Sequence, residues 1–134
     1  TTQQPPVDGV VVRGAREFAY GSGSEEAQRA GLELVNPFAL DDAVVLERGK
    51  RVYSTYCIVC HDAQGNGRGT VVARGVLPPP SFKGTRALSI ADGEMFHIVT
   101  RGQGNMASYA AQIPVDDRWK AIAWVRRLQQ EGTR

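Results

Sequence analysis

The stretch Cys57-Ile58-Val59-Cys60-His61 constrains this chain more than any other, because it gathers both cysteines and one of the two histidines. On a helix, residues three apart lie on one face, so the two thiols can reach the same object together. They can add to the two vinyl groups of a haem and form two thioether bonds. His61 follows at once and can turn its imidazole onto the iron. C-x-x-C-H is the signature of c-type haem attachment, and one covalent haem c is the expected cofactor. Competing chemistries fit less well. A zinc site takes four ligands, and two cysteines and one histidine leave that shell short. A thioredoxin-like pair belongs at the start of a helix after a strand, and nothing upstream reads as that. A disulfide between these cysteines would close a very small, strained loop.

The chain has 134 residues, enough for one domain with a modest core. Its 16 Lys+Arg against 14 Asp+Glu leave a formal charge of +2, which does not suggest nucleic acid. No apolar run approaches the length of a membrane span. No signal peptide stands at Thr1. Covalent haem is attached outside the cytoplasm, so a cleaved leader or a trimmed start is expected, with residence in a bacterial periplasm or on the outer face of the cytoplasmic membrane. No cysteine near the N-terminus offers a lipid anchor.

Residues 1–40 differ from the rest and are expected to form a mostly irregular extension ahead of a mono-haem domain at 41–134. Thr1 to Pro6 is polar and Pro-rich, and Gly21-Ser22-Gly23-Ser24 reads as a loop. Val10, Val11, Val12, Phe18, Tyr20 and Phe38 are too many apolar residues for a solvated tail. An extended arm packed on its own domain or on a partner subunit fits better. Asp41 or Asp42 can N-cap a helix from Ala43, with Val45, Leu46, Gly49, Val52, Tyr53 and Tyr56 at helical spacing. Gly65 to Gly69 is a tight turn rather than a phosphate loop, since no Walker lysine or preceding strand accompanies it. Pro78-Pro79-Pro80 must be extended. Ile90 to Arg101 reads as a second helix, capped by Ser89 or Asp92 and ended by Gly102. Asp116 and Asp117 open a last helix carrying Trp119, Ile122, Ala123, Val125 and Leu128. The fold class is all-α.

If haem is present, His61 is the proximal ligand, and its other ring nitrogen should donate to a backbone carbonyl. The rigid segment Leu77 to Pro80 is where that carbonyl is expected. The sixth ligand must come from Met95, Met106 or His97. Met95 sits mid-helix beside apolar neighbours, as a core residue does. His97 shares that helix and reads as a surface or packing histidine. Met106 lies on a loop before an amphipathic helix and is the expected metal ligand with His61.

The order of these features resembles class I cytochrome c from Ala43 to Gln130: a helix with Gly49 and Tyr53, then C-I-V-C-H, a loop methionine, and a C-terminal helix with Trp124. The resemblance implies that the first and last helices cross beside the haem, with Gly49 at the crossing and Tyr53 and Trp124 packed there. Met106-Ala107-Ser108-Tyr109 looks like the family's M-P-S-Y loop, with Ala107 in place of proline. The resemblance also implies that Pro79, Arg74 and Tyr109 line the haem pocket. A narrower likeness rests on V-V-V-R-G, on Asn36-Pro37-Phe38, on E-R-G-K-R-V-Y-S-T-Y-C-I-V-C-H, on the run 65–75 and on Asp117-Arg118-Trp119. Together these are similar to the mono-haem cytochrome c subunit of alternative complex III.

The function this implies is one-electron transfer through a six-coordinate haem c. The chain would be a subunit of a membrane quinol-oxidising respiratory or photosynthetic complex that feeds a soluble carrier or terminal oxidase. By itself it would be an electron-transfer protein, not an enzyme, associated with the membrane through its partners. A free periplasmic shuttle and the cytochrome subunit of an oxidase or dehydrogenase are the alternatives within the class. Outside it stand a haem enzyme or gas sensor with an open sixth site, for which His97 is the available acid–base residue, and a zinc-binding adaptor. The arm is expected to anchor the subunit to its complex. Removing residues 1–36 should then leave the haem spectrum and midpoint potential nearly unchanged.

Overall fold

The computed structural model describes residues 18–131, so the apolar patch at Val10 to Val12 and the motif V-V-V-R-G lie outside the described residues. Among the described residues the regular structure is helical: α1 (Ser24–Glu33), α2 (Ala43–Tyr56), α3 (Ile58–His61), α4 (Thr85–Ser89), α5 (Asp92–Arg101) and α6 (Val115–Glu131), with one 3₁₀ turn at Val72–Arg74. No described helix is long and apolar enough to cross a membrane.

Helix α2 starts where the Asp42 carboxylate accepts from the backbone N–H of Val44 and Val45, at 2.9 and 3.1 Å. That side chain satisfies donors the first turn leaves without partners. Helix α6 opens with Asp116 and Asp117, whose charge suits the positive end of the helix. The two helices cross at Gly49. A Cβ there would overlap the Lys120 carbonyl oxygen and lie 2.7 Å from its carbon. Only glycine lets the backbones come this close. Arg48 clamps the same crossing with a two-pronged ion pair to Asp117, Nε to Oδ1 at 3.1 Å and Nη2 to Oδ2 at 2.9 Å.

The core runs along this crossing and under α5. Tyr53, Met95, Phe96, Trp119, Ile122, Val125 and Leu128 form one buried cluster. The Phe96 ring stacks on Trp119 with centroids 4.1 Å apart. Trp124 is half-buried against the cluster, with the Lys50 ammonium over its ring. Trp119, not Trp124, is therefore the deeper aromatic of α6.

The expected mostly irregular extension carries one regular element ahead of Asn36. This is the ten-residue helix α1, braced by Arg29 between Glu26 and Glu33. Its buried face is made of Ala27 and Ala30, while Leu32 is 89% exposed. Small residues let α1 lie directly on α5. A Cβ at Gly93 would overlap the Ala30 carbonyl and come 2.7 Å from that of Leu34. Phe18, Leu34 and Phe38 pack against the main cluster, and the Asn36 side chain donates to the Trp119 carbonyl at 3.0 Å. Residues 18–38 are thus built into the helical core.

Candidate functional site

Cys57 closes the end of α2, its N–H donating to the Tyr53 carbonyl at 2.8 Å. The single turn α3 then sets Cys60 and His61 over it, with the His61 N–H on the Cys57 carbonyl at 2.9 Å. Asp62 stops the turn with a left-handed φ of 59°. Its carboxylate collects the N–H groups of Gln64, Asn66 and Arg68 at 2.8 to 3.2 Å. Burial raises its pKa, but these backbone donors outweigh that and hold it below the ordinary carboxylate value. The Tyr53 hydroxyl donates to the Asp62 carbonyl at 2.6 Å, tying α2 to the far side of the motif.

The loop after Asp62 folds back over the motif. Gly67, Gly69 and Val71 donate to the carbonyls of His61, Cys60 and Val59 at 3.1 to 3.2 Å. The glycines of 65–69 therefore serve a close backbone return, as a tight turn requires.

Both cysteines are free thiols and half-buried. Burial, with Cys60 beside it, pushes the Cys57 thiol up to about 12. Burial also lowers the His61 pKa, against an opposing pull from Asp62, so the imidazole is held neutral as a metal ligand must be. Among the described residues no group of three or more His, Cys, Asp or Glu side chains is placed to hold a metal ion.

His61 is held differently from the expectation. Its ring stacks on Phe82 with centroids 4.5 Å apart and planes 16° apart. Its Nδ1 is buried with no hydrogen-bond partner, so no carbonyl of Leu77 to Pro80 receives it. The Pro79 carbonyl is packed against Gly67 instead. An orphaned buried imidazole nitrogen is a cost the chain does not recover by itself. Next to two free thiols on the same turn, it fits a haem held by Cys57, Cys60 and His61.

The three candidates for the sixth position separate cleanly. Met95 is buried in the main cluster. His97 is 1% exposed, and its Nε2 donates to the Gly21 carbonyl at 2.6 Å. Met106 is half-buried on the loop after α5, pinned by two backbone hydrogen bonds with Gln103, each 2.9 Å. Three residues on, the Tyr109 N–H donates to the Val99 carbonyl at 2.9 Å. Burial, and then the thiols of Cys60 and Cys57, raise the Tyr109 pKa. That ring meets Tyr56 edge-on at 6.3 Å. Pro79 is half-buried near Gly67, whereas Arg74 is exposed on the 3₁₀ turn.

One functional residue was given no role by the sequence reasoning. Arg118 is 7% exposed, and its head group donates to the carbonyls of Ile113 and Ala110 at 2.8 and 2.9 Å and to Thr100 Oγ1 at 3.4 Å. It anchors the far end of the methionine loop from α6. Burial lowers its pKa, and its three oxygen partners stand in for the lost water.

Residues 44–125, more than half of the chain, match the model of the family described as cytochrome c oxidase, cbb3-type, subunit III. A search of curated proteins found no match. Among solved structures, a chain of the reducing HAO-like protein complex of Kuenenia stuttgartiensis is similar in fold, with a TM-score of 0.56 and 20% sequence identity. The similarity covers 71% of the present chain and 49% of that one, so this chain spans about half its length.

Proposed function

Because the chain belongs to the family described as cytochrome c oxidase, cbb3-type, subunit III, and so is a class I c-type cytochrome, we propose that it carries single electrons within a membrane-associated redox complex. Haem c, when bound, supplies the one-electron couple. The chain's own residues attach, orient and insulate. Cys57 and Cys60 provide the thioether sulfurs, His61 the proximal nitrogen and Met106 the sixth ligand. A thioether donor favours the ferrous state and raises the potential. Phe82 packs on the His61 ring, and the close helix crossing at Gly49 fixes the frame beside it.

The observation that carries this reading is the partition of the two histidines. His61 stands on the cysteine turn, while His97 is buried on α5 with its Nε2 occupied by the Gly21 carbonyl; each leaves Nδ1 without a partner. No second histidine is thereby left to serve as a distal acid or base, which weighs against an enzyme or sensor with an open sixth site.

The complex is proposed to be a quinol-oxidising one of the alternative complex III type, in the bacterial periplasm or at the outer face of the cytoplasmic membrane, delivering electrons to a soluble carrier or terminal oxidase. The arm residues Asn36-Pro37-Phe38 and the Asp117-Arg118-Trp119 run support that choice. A second reading, the cytochrome subunit of an oxidase, draws on the description of the matching family. Purification of the tagged chain from native membranes distinguishes them. Quinol-oxidising subunits are expected to accompany it; an oxygen-reducing core in their place would favour the second reading.

A further inference from the structure

The segment 18–21 is held to α5 by two side chains of that helix. Arg101 donates through Nε to the Tyr20 carbonyl at 2.9 Å and through Nη2 to the Phe18 carbonyl at 3.1 Å. His97, one turn earlier, donates through Nε2 to the Gly21 carbonyl at 2.6 Å. A carbonyl oxygen only accepts, so the proton sits on Nε2, and Nδ1 is left buried without a partner. The Phe18 ring covers the same turn, 5.9 Å from His97 and 5.7 Å from Phe96, with the Arg101 guanidinium 5.2 Å over its face. Three donors spent on the carbonyls of Phe18, Tyr20 and Gly21 make a clasp, and each donor would lose its carbonyl partner if the segment left.

What this clasp holds is the root of the methionine loop. Arg101 is the last residue of α5, and Gly102 follows with φ of 80°. A Cβ at Gly102 would lie 2.6 Å from the Met106 carbonyl oxygen and 3.0 Å from the Ser108 nitrogen. The Thr100 carbonyl receives the Ser108 hydroxyl at 2.5 Å. Between the loop and the arm a cleft of about 470 Å³ is lined by Ser22–Ser24, by His97 and Arg101, and by loop residues including Met106. The loop therefore faces open space on the side of the arm, and the last turn of α5 is its support there.

We propose that the arm segment Phe18–Gly21, clasped by His97 and Arg101, is a positioning device that keeps Met106 on the iron, so that the N-terminal extension belongs to the redox site itself. This rests on Met106 being the sixth ligand. His97 and Arg101 are positioning residues: they act through α5 and Gly102. Displacing the arm would let the loop move into the cleft, weaken the thioether–iron bond and lower the potential.

The experiment compares full-length holoprotein carrying His97→Leu, His97→Gln, Arg101→Lys or Met106→Ala. Leucine keeps the packing volume without a donor, and glutamine restores an N–H donor. The readouts are the red-edge absorbance band of methionine–iron bonding, carbon monoxide binding to the ferrous form and the midpoint potential. Met106→Ala must lose the band and bind carbon monoxide; if it does not, the ligand reading fails and not the clasp. Given that control, His97→Leu should weaken the band, bind carbon monoxide severalfold faster and shift the potential downward, and His97→Gln should recover most of each. Arg101→Lys, an exposed change that keeps one donor of two, should fall between. A native band and no carbon monoxide binding in both His97→Leu and Arg101→Lys would overturn the clasp, as would equal loss in the leucine and glutamine variants.

Discussion

Gly49→Val probes the contact on which the helical frame of the site depends. A Cβ at Gly49 meets backbone, not the end of a side chain: the Lys120 carbonyl carbon lies 2.7 Å from it and the oxygen closer still. Ordinary carbon contacts begin near ~3.5 Å, so α2 and α6 must part by roughly 1 Å. Neither strand of that contact can rotate away, and the separation loosens Val52, Tyr53, Ala121 and Ile122, which are packed around it. Overpacking of this kind costs about 1–3 kcal/mol. Replacing glycine inside a helix returns up to about 1 kcal/mol for alanine and less for a β-branched residue. The net for valine is a loss of about 2 kcal/mol, and for alanine about 1 kcal/mol. For a chain of this length that corresponds to a fall in melting temperature of roughly 4–8 °C for valine and about half that for alanine. Thermal melts of holoprotein followed by far-ultraviolet circular dichroism measure it, with exposed Ser54→Ala on the same helix as a propensity control. A Gly49→Val melting temperature equal to the parent's would refute the close crossing.

Three further outcomes follow from the same geometry. Replacing both Cys57 and Cys60 with Ala should make any retained haem extractable into acid solvent, and retention of non-extractable haem would show attachment elsewhere. Met95→Leu should cost less than about 1.5 kcal/mol and leave the spectrum unchanged, because it exchanges one buried side chain for another of similar volume; an opened sixth site in this variant would transfer the ligand role from Met106 to Met95. Arg48→Ala should lower stability only slightly at pH 7, as measured by chemical denaturation, because the Arg48 side of the pair is exposed to solvent. The hydrogen bond from Arg48 holds the Asp117 pKa below its ordinary value, so this stability is present above pH ~4 and is lost as pH falls through the folded-state value. The gap between variant and parent should therefore close in acid, and a gap that widened there would contradict the assignment.

Much of the frame was legible in the sequence because its signals are local. Asp42 announces α2 by its capping side chain, and Asp116 and Asp117 mark the first turn of α6 by their charge. Large apolar residues at helical spacing mark the buried faces of both. The C-x-x-C-H turn needs no partner from elsewhere in the chain to be recognised. Helix α1 escaped notice because its buried face consists of Ala27 and Ala30, while its one large apolar residue, Leu32, points into solvent. The Glu26–Arg29–Glu33 spacing was the available sign. His97 and Arg118 were illegible for a different reason. Their partners are backbone carbonyls, which every residue carries, and in the case of His97 the partner lies 76 positions away. A buried guanidinium satisfied by carbonyls leaves no mark in charge pairing. The Pro79 carbonyl shows the converse: proline rigidity was visible, but its packing against Gly67 rather than toward His61 was set by the return of the glycine loop.

The central claim is that His61 and Met106 together close the iron's coordination, which confines the protein to electron transfer. Carbon monoxide titration of the ferrous holoprotein, run beside Met106→Ala, tests it most directly. The account predicts no binding to the parent at concentrations that saturate the variant, and a lower midpoint potential in the variant. Ready binding to the parent, with no change on replacing Met106, would contradict it and return the open-site enzyme or sensor to the foreground.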